Sequence, residues 1–315
     1  MNTTNSSFSK ILPSLQIAWD SVSRGALQTC PRYYYYNIIC GYTTKEENIH
    51  FTFGIGIHAA QETYHREKFK GKTHEESLNS AVRFAIEYTW DFKRRRPWIS
   101  YDQNKNRETL IRTVVWYLTQ FENDALKTFV KDDGSPAVEL SFHFNSNLTT
   151  SFGEPYFFCG HIDRFVTWDE DFYITDIKTT KYSLTKSTQE FFNKYSTDDQ
   201  MSGYYFAGKV TFAKPIKGLI IDAMQIAQNF SRFQRGETMR SPAQLDEWYE
   251  DTRYWLNLAE KFAQDNYWPM NKKSCNNFGG CPYLPVCGES PPFRPKILQD
   301  FYTQRIWDPL VTREV

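Results

Sequence analysis

An acid and an ammonium, two residues apart at the end of an apolar strand, constrain this chain more than any other feature. Phe172-Tyr-Ile-Thr-Asp-Ile-Lys178 is rich in β-branched and aromatic residues and follows the turn-forming Asp169-Glu170-Asp171, so it reads as a β-strand. Alternation along a strand puts Phe172, Ile174, Asp176 and Lys178 on one side. The preceding run, Tyr156–Trp168, contains Gly160-His161-Ile162-Asp163 and reads as the hairpin partner. Gly160 permits a bulge or bend that turns Asp163 toward Asp176. Two carboxylates then share one corner with Lys178.

Two adjacent carboxylates repel, and one of them takes up a proton near neutral pH unless a cation lies between them. Mg2+ or Mn2+ removes the conflict, because such ions prefer oxygen ligands and lower the pKa of a bound water toward about 7. Phosphodiester hydrolysis needs such a water and needs its charge neutralised; Lys178 would orient the water. The alternative is a solvated pair at a strand end, since Asp-x-Lys is common by chance.

Two helical segments add to the set. Asn48–His65 passes from a glycine-spaced turn into a helix, with His58 near its start and Glu62 one turn on. An imidazole there can ligate a metal or contact phosphate; the alternative is a satisfied core histidine. Ser196–Ala207 starts another helix, in which Gln200 and Tyr204 share a face and could reach a nucleotide together. Thr197-x-x-Gln200 also fits a capping box, which gives Gln200 a structural alternative.

Of six cysteines, Cys275, Cys281 and Cys287 lie in a Gly- and Pro-containing loop without apolar periodicity. Such a loop needs a staple. Cys30, in Thr-Cys-Pro-Arg-Tyr-Tyr-Tyr-Tyr, supplies a fourth thiol for a 4Fe-4S or zinc site. Zinc ligands are usually paired at closer spacing, which favours iron–sulfur, with disulfides a third option. Cys40 and Cys159 read as core thiols. The N-terminus lacks a signal-peptide pattern and no membrane-spanning run is present, so a reducing cytoplasm is expected, that of a host if the chain is viral.

Taken together, His58, Gly-x-x-Asp163, Asp176-x-Lys178, Gln200-x-x-x-Tyr204 and the one early and three late cysteines resemble the RecB-like branch of the PD-(D/E)XK nuclease superfamily. Within it the likeness is to the iron–sulfur exonucleases, CRISPR-associated and AddB-like, over roughly Ser21 to Gly288. The resemblance implies an α/β, restriction-endonuclease-like core: a mixed central β-sheet flanked by helices, with a helical insertion and a C-terminal region stapled by a four-cysteine metal cluster. It implies metal binding by His58, Asp163, Asp176 and the carbonyl of Ile177, catalysis with Lys178, and substrate contacts by Gln200 and Tyr204. Glu139 matches an acid that precedes the motif core in some members. Cys30, Cys275, Cys281 and Cys287 would hold the cluster. Relatives usually space the late cysteines Cys-x2-Cys-x5-Cys, whereas both gaps here are five residues, which bears on the cluster type.

Organisation follows from the same reading: an N-terminal extension at 1–20, one nuclease domain at 21–290, and a tail at 291–315. A helical insertion is expected at about 71–132 and the cluster loop at 275–287. The insertion would hold helices from His74 to Arg95, opened by the capping box Thr73-x-x-Glu76, and from Asn106 to Val130. Strands are expected near 137–146 and 217–226, and a long helix from Ser241-Pro-Ala-Gln244. Aromatic residues make up 17% of the chain, and some should face substrate. Formal net charge is zero, so no global field announces nucleic acid. Lys93–Arg96 and Arg232–Arg240 nevertheless interleave basic and aromatic residues as a strand-tracking groove would, or as solvated faces do.

The expected function is a Mg/Mn-dependent deoxyribonuclease, an exonuclease on single-stranded DNA or duplex ends in recombination, repair or phage DNA processing. Its partner is DNA, with a helicase or recombination protein implied by the resemblance and no membrane. A non-catalytic nucleic-acid-binding subunit that keeps the scaffold is the first alternative, and a redox-sensing cysteine protein the second.

Overall fold

The computed structural model describes residues 7–45, 48–185, 188–212, 214–277 and 280–311. The first half of the chain runs β1 (Ala18–Trp19), α1 (Ser21–Thr29), α2 (Pro31–Tyr34), β2 (Tyr42–Thr44), α3 (Ile49–Phe69), α4 (His74–Tyr88), β3 (Trp90–Asp91), β4 (Arg96–Pro97), α5 (Arg107–Gln120), β5 (Lys127–Thr128) and β6 (Val138–Thr149). There follow β7 (Pro155–Trp168), β8 (Asp171–Thr180), α6 (Thr188–Asn193), α7 (Asp199–Phe212), β9 (Ile216–Ile226), β10 (Ser231–Thr238), α8 (Pro242–Gln264), α9 (Leu284–Gly288), α10 (Arg294–Phe301) and β11 (Tyr302–Gln304). The chain folds as two compact units, whose described residues are 7–45, 141–160, 242–277 and 280–311 in the first, and 48–140, 161–185, 188–212 and 214–241 in the second.

The second unit is a mixed sheet with helices on both faces. Trp168 pairs with Asp171 across Asp169 and Glu170, both at positive φ (46° and 72°), the tight turn that the acidic triplet predicts. β7 and β8 run antiparallel from there to Arg164 and Thr175. β8 continues parallel to β9, with Asp176 opposite Ile221 and Lys178 opposite Ala223, and β10 returns antiparallel to β9. The parallel step requires a crossover, supplied by α6 and α7. Phe212 of α7 stacks on Phe165 of β7 at 3.9 Å, and Tyr205 donates to the carbonyl of Ile216 at 2.6 Å. On the opposite face α3, α4 and α5 bury Phe53, Ile57, Ala81, Leu110 and Val114 with Ile177, Met224 and Ile226.

Three local expectations are corrected here. α3 already begins at Ile49, capped by Asn48, so His58 sits in its third turn and not near its start. The glycines belong to the helix: a Cβ on Gly56 would stand 2.7 Å from the Tyr88 ring and 2.9 Å from Leu110, so this glycine serves close packing and no turn. The helix from His74 stops at Tyr88 and that from Asn106 at Gln120, each followed by short strands.

In the first unit β1 runs parallel to the start of β7, where Ala18 pairs with Phe157, and β11 pairs with β2. Within the stretch expected as a tail, the described residues 291–311 include α10, whose Leu298 is buried. Its tyrosine run is a core element. Tyr34 is fully buried and stacks on Trp19 at 5.4 Å, while Tyr36 and Tyr283 meet at 5.5 Å. Much of the aromatic content is thereby structural. Gly160 also differs from expectation: an added Cβ would lie 2.8 Å from the Phe142 ring, so its small size admits that ring.

Candidate active site

The β7–β8 ladder ends at Arg164 and Thr175, and a side chain takes over the next rung. The backbone N–H of Ile177 donates to Asp163 Oδ2 at 2.8 Å. In a strand, the N–H and C=O of one residue leave on the same side, so the Ile177 carbonyl faces the same opening. Asp163 Oδ1 lies 3.2 Å from His58 Nδ1, and Glu139 lies 3.9 Å from the same nitrogen. One ligating atom from each of His58, Glu139 and Asp163 falls within 4.8 Å of the others.

Glu139 reaches this position through strained backbone. Its φ is 47°, in the left-handed region that a non-glycine residue inside a strand avoids. Nothing in local sequence predicts that twist; only the family resemblance pointed to this acid.

Asp176 stands beside the trio. Lys178 Nζ contacts its two oxygens at 3.1 and 2.8 Å and donates to Gln200 Oε1 at 2.8 Å. Gln200 Nε2 donates in turn to the Tyr204 hydroxyl at 2.9 Å. Asp176, Lys178, Gln200 and Tyr204 thus form one chain of contacts. Asp198, not Thr197, caps α7, accepting from the Met201 N–H at 3.1 Å, and Gln200 is left for Lys178.

Electrostatics mark the corner as short of positive charge. Burial would depress the His58 imidazolium, but the carboxylates of Asp163, Glu139 and Asp176 overcome it and push its pKa up to about 9. Burial raises Asp163, yet His58 and the Ile177 N–H hold it below the usual carboxylate range. Asp176 is pushed up to about 6 by burial, against the pull of Lys178 and with the repulsion of Asp163. Two carboxylates and one imidazole converge, with the Lys178-bound carboxylate of Asp176 beside them; this oxygen-rich donor set suits a hard divalent cation, so the residues fit Mg2+ or Mn2+.

Behind the trio lies a largely buried ionic network. Arg235 bonds Asp124 at 2.7 Å and Asp222 at 3.0 Å, Tyr117 donates to Asp222, and Arg164 lies 3.6 Å from Asp124. Arg164 Nη1 also meets both ring nitrogens of His65, at 3.2 and 3.0 Å. Burial, with Arg164 and Arg235, holds His65 well below its ordinary pKa. His65 is therefore neutral where His58 is not. The basic run expected to track DNA is divided by this packing: Arg235 belongs to the network, and buried Arg240 donates to Ser202, Thr238 and the Tyr195 carbonyl. Lys93–Arg96 lies exposed around the β3–β4 turn, with Arg94 paired to Asp91 at 3.0 Å.

The four cysteines of the expected cluster all lie in the first unit and form no disulfide. The Asn271 N–H points at Cys30 Sγ at 3.3 Å, and Cys281 donates its N–H to the Cys275 carbonyl at 2.7 Å. Burial raises Cys281 and Cys287, and each is raised further by Cys30 and a neighbouring loop thiol, so the early and late cysteines share one locality. Among the described residues no three thiols lie within 4.8 Å of one another. Tetrahedral zinc, with bonds of about 2.3 Å, would hold its sulfurs about 3.8 Å apart. Cys159 is buried and its thiol is pushed up by that burial, as a core thiol should be.

Among the described residues no helix is long and apolar enough to cross a membrane. A search of curated proteins finds no match. Among solved structures, one from Eubacterium rectale named "Putative exonuclease" superposes with a TM-score of 0.48 at 11% identity, covering 88% of this chain and 91% of that one. Another, of SSO0001, gives 0.25 at 14% identity, covering 46% of this chain and 64% of that one. The family model of the PD-(D/E)XK nuclease superfamily matches residues 21–288. A match over that span, most of the 315 residues, means that the chain belongs to the PD-(D/E)XK nuclease superfamily.

Proposed function

We propose that this protein is a Mg/Mn-dependent deoxyribonuclease, an exonuclease on single-stranded DNA or duplex ends, of the RecB-like branch. The observation that carries the reading is the convergence of His58, Glu139 and Asp163 within 4.8 Å, beside the Asp176–Lys178 pair. The nuclease domain is taken as 21–290.

When bound, the divalent ion would supply an acidified water and neutralise charge on the scissile phosphate. Neutral His58, the carboxylates of Glu139, Asp163 and Asp176 and the carbonyl of Ile177 would hold it. Asp176 and Gln200 fix the Lys178 ammonium, which positions the attacking water and faces the charge that grows on the phosphate oxygens. Tyr204 steadies Gln200, and the two are placed to contact the nucleotide.

Cys30, Cys275, Cys281 and Cys287 are assigned to a structural 4Fe-4S cluster. Support comes from thiols that share one locality and from the N–H directed at Cys30, since hydrogen bonds to sulfur are typical of such sites. Iron and sulfide analysis with the visible spectrum tests this assignment.

The activity test compares wild type with Lys178→Ala and Asp163→Ala on labelled linear and circular DNA with magnesium or manganese. Mononucleotides released from linear DNA, with circles spared and both variants inactive, is the expected result. Equal cleavage by all three proteins would retire the mechanism. DNA binding by wild type without cleavage in either metal would favour the non-catalytic alternative.

A further inference from the structure

The first unit contains a groove of about 740 Å³, within the size range of ligand sites, lined by residues from the tyrosine run, the loop after α8 and the start of α10. Its walls are aromatic. Tyr35 and Trp268 stack at 5.6 Å with an interplanar angle of 18°, and Tyr267 beside them is 62% exposed. Its charge is one-sided. Arg32 and Arg294 line it, no Asp or Glu does, and among the described residues no carboxylate pairs with either guanidinium. Backbone carbonyls hold both in place: Arg32 Nε donates to Trp268 at 2.8 Å, and Arg294 donates to Glu289 at 2.9 Å and Cys287 at 3.1 Å. The Arg32 guanidinium also lies 5.8 Å over the Tyr267 ring.

A ligand that answers these features brings flat π faces and negative charge. We propose that the groove binds single-stranded DNA, with bases stacked on Tyr267 and Tyr35 and phosphates held by Arg32 and Arg294. Duplex DNA fits poorly, because its bases already stack on one another and offer no free face. A proline-rich peptide would match the rings and leave both arginines without a counter-charge. The groove goes beyond the hydrolytic reading, which requires nothing of it.

The test measures fluorescence anisotropy of a labelled oligothymidylate of about fifteen nucleotides, near the upper site size of a single-strand groove. It uses the 315-residue Lys178→Ala protein without added divalent metal, so that cleavage does not enter. Tyr267→Ala should weaken binding about tenfold, whereas Tyr267→Phe, which keeps the ring, should not. Arg32→Gln should weaken binding and flatten its salt dependence by about one phosphate, a slope change near 0.7. Tyr267 is mostly exposed, so its loss leaves the core closed, and an unchanged melting temperature verifies this. Unchanged affinity in Tyr267→Ala and Arg32→Gln would overturn the proposal. So would equal competition by heparin, which has charge and no bases, or displacement of the oligonucleotide by a proline-rich peptide. A Lys178-containing protein that cuts no DNA would retire the active-site reading and leave the groove result standing.

Discussion

The carboxylate of Asp163 occupies the place of a backbone partner for Ile177, accepting its N–H at 2.8 Å where the β7–β8 ladder stops. One oxygen therefore completes the sheet while the other faces His58. The two jobs can be separated. Asp163→Asn keeps an acceptor for the Ile177 N–H and removes the charge; Asp163→Ala removes both. Each should lose at least about a hundredfold in activity, the upper range for losing even an outer partner of a metal ligand. Only the alanine variant should lose a further 1–3 kcal/mol, roughly, of folding stability, the cost of a buried donor without a partner. Urea denaturation of both variants checks this, and equal stabilities would contradict the shared role.

Glu139 offers the opposite trade. Left-handed backbone costs a non-glycine residue about 1–2 kcal/mol, and glycine is free of that cost apart from its greater entropy loss. Glu139→Gly should therefore stabilise the metal-free protein by about 1 kcal/mol relative to Glu139→Ala, while both variants lose activity and magnesium affinity. Thermal melts without metal, paired with calorimetric magnesium titration, read the two effects. A glycine variant no more stable than the alanine one would mean that the strain is not real.

How the site came to be legible follows from what sequence periodicity can carry. The strand of Asp176 and Lys178, its hairpin partner and the turn at Asp169 and Glu170 were all readable, because alternation and turn chemistry are local. The start of α3 was not. Glycines at 54 and 56 look like a turn until Tyr88 and Leu110, far along the chain, require one of them to lack a side chain. Gln200 could have been a cap, and the position of Lys178, distant in the sequence, gives its side-chain oxygen another partner. Arg235 and Arg240 read as surface charge because a sequence records the guanidinium but not the distant acids and carbonyls that bury it. Convergence of His58 and Glu139 on Asp163 is likewise a long-range fact.

The pairing of half-buried Arg235 leads to a prediction about stability that a DNA-contact role would not make. With its guanidinium between Asp124 and Asp222, Arg235→Leu leaves two largely buried carboxylates without their main partner. The expected loss is about 3–5 kcal/mol of folding stability, the range for breaking a buried ion pair on one side. Arg232→Ala, whose side chain is exposed, should cost less than about 0.5 kcal/mol. Denaturation midpoints of the two variants decide the matter, and a stable Arg235→Leu that binds DNA weakly would restore the groove reading of this segment.

His58 makes the site sensitive to alkaline pH in a defined direction. Its folded pKa, about 9, lies above the ordinary value of 6.5 because Asp163, Glu139 and Asp176 surround it. A raised folded pKa stabilises the protein fully below about 6.5, and that contribution is lost as pH climbs through about 9. The metal-free protein should accordingly melt at progressively lower temperature between those values, and His58→Gln should show a flatter profile over the same window. A divalent ion competes with the same proton, so magnesium binding at pH 7 should release it, and affinity should rise about tenfold per pH unit until His58 is neutral. Calorimetric titration in two buffers of different ionisation enthalpy counts the proton. No release at pH 7, together with parallel melting profiles for wild type and His58→Gln, would place His58 outside the cation's reach.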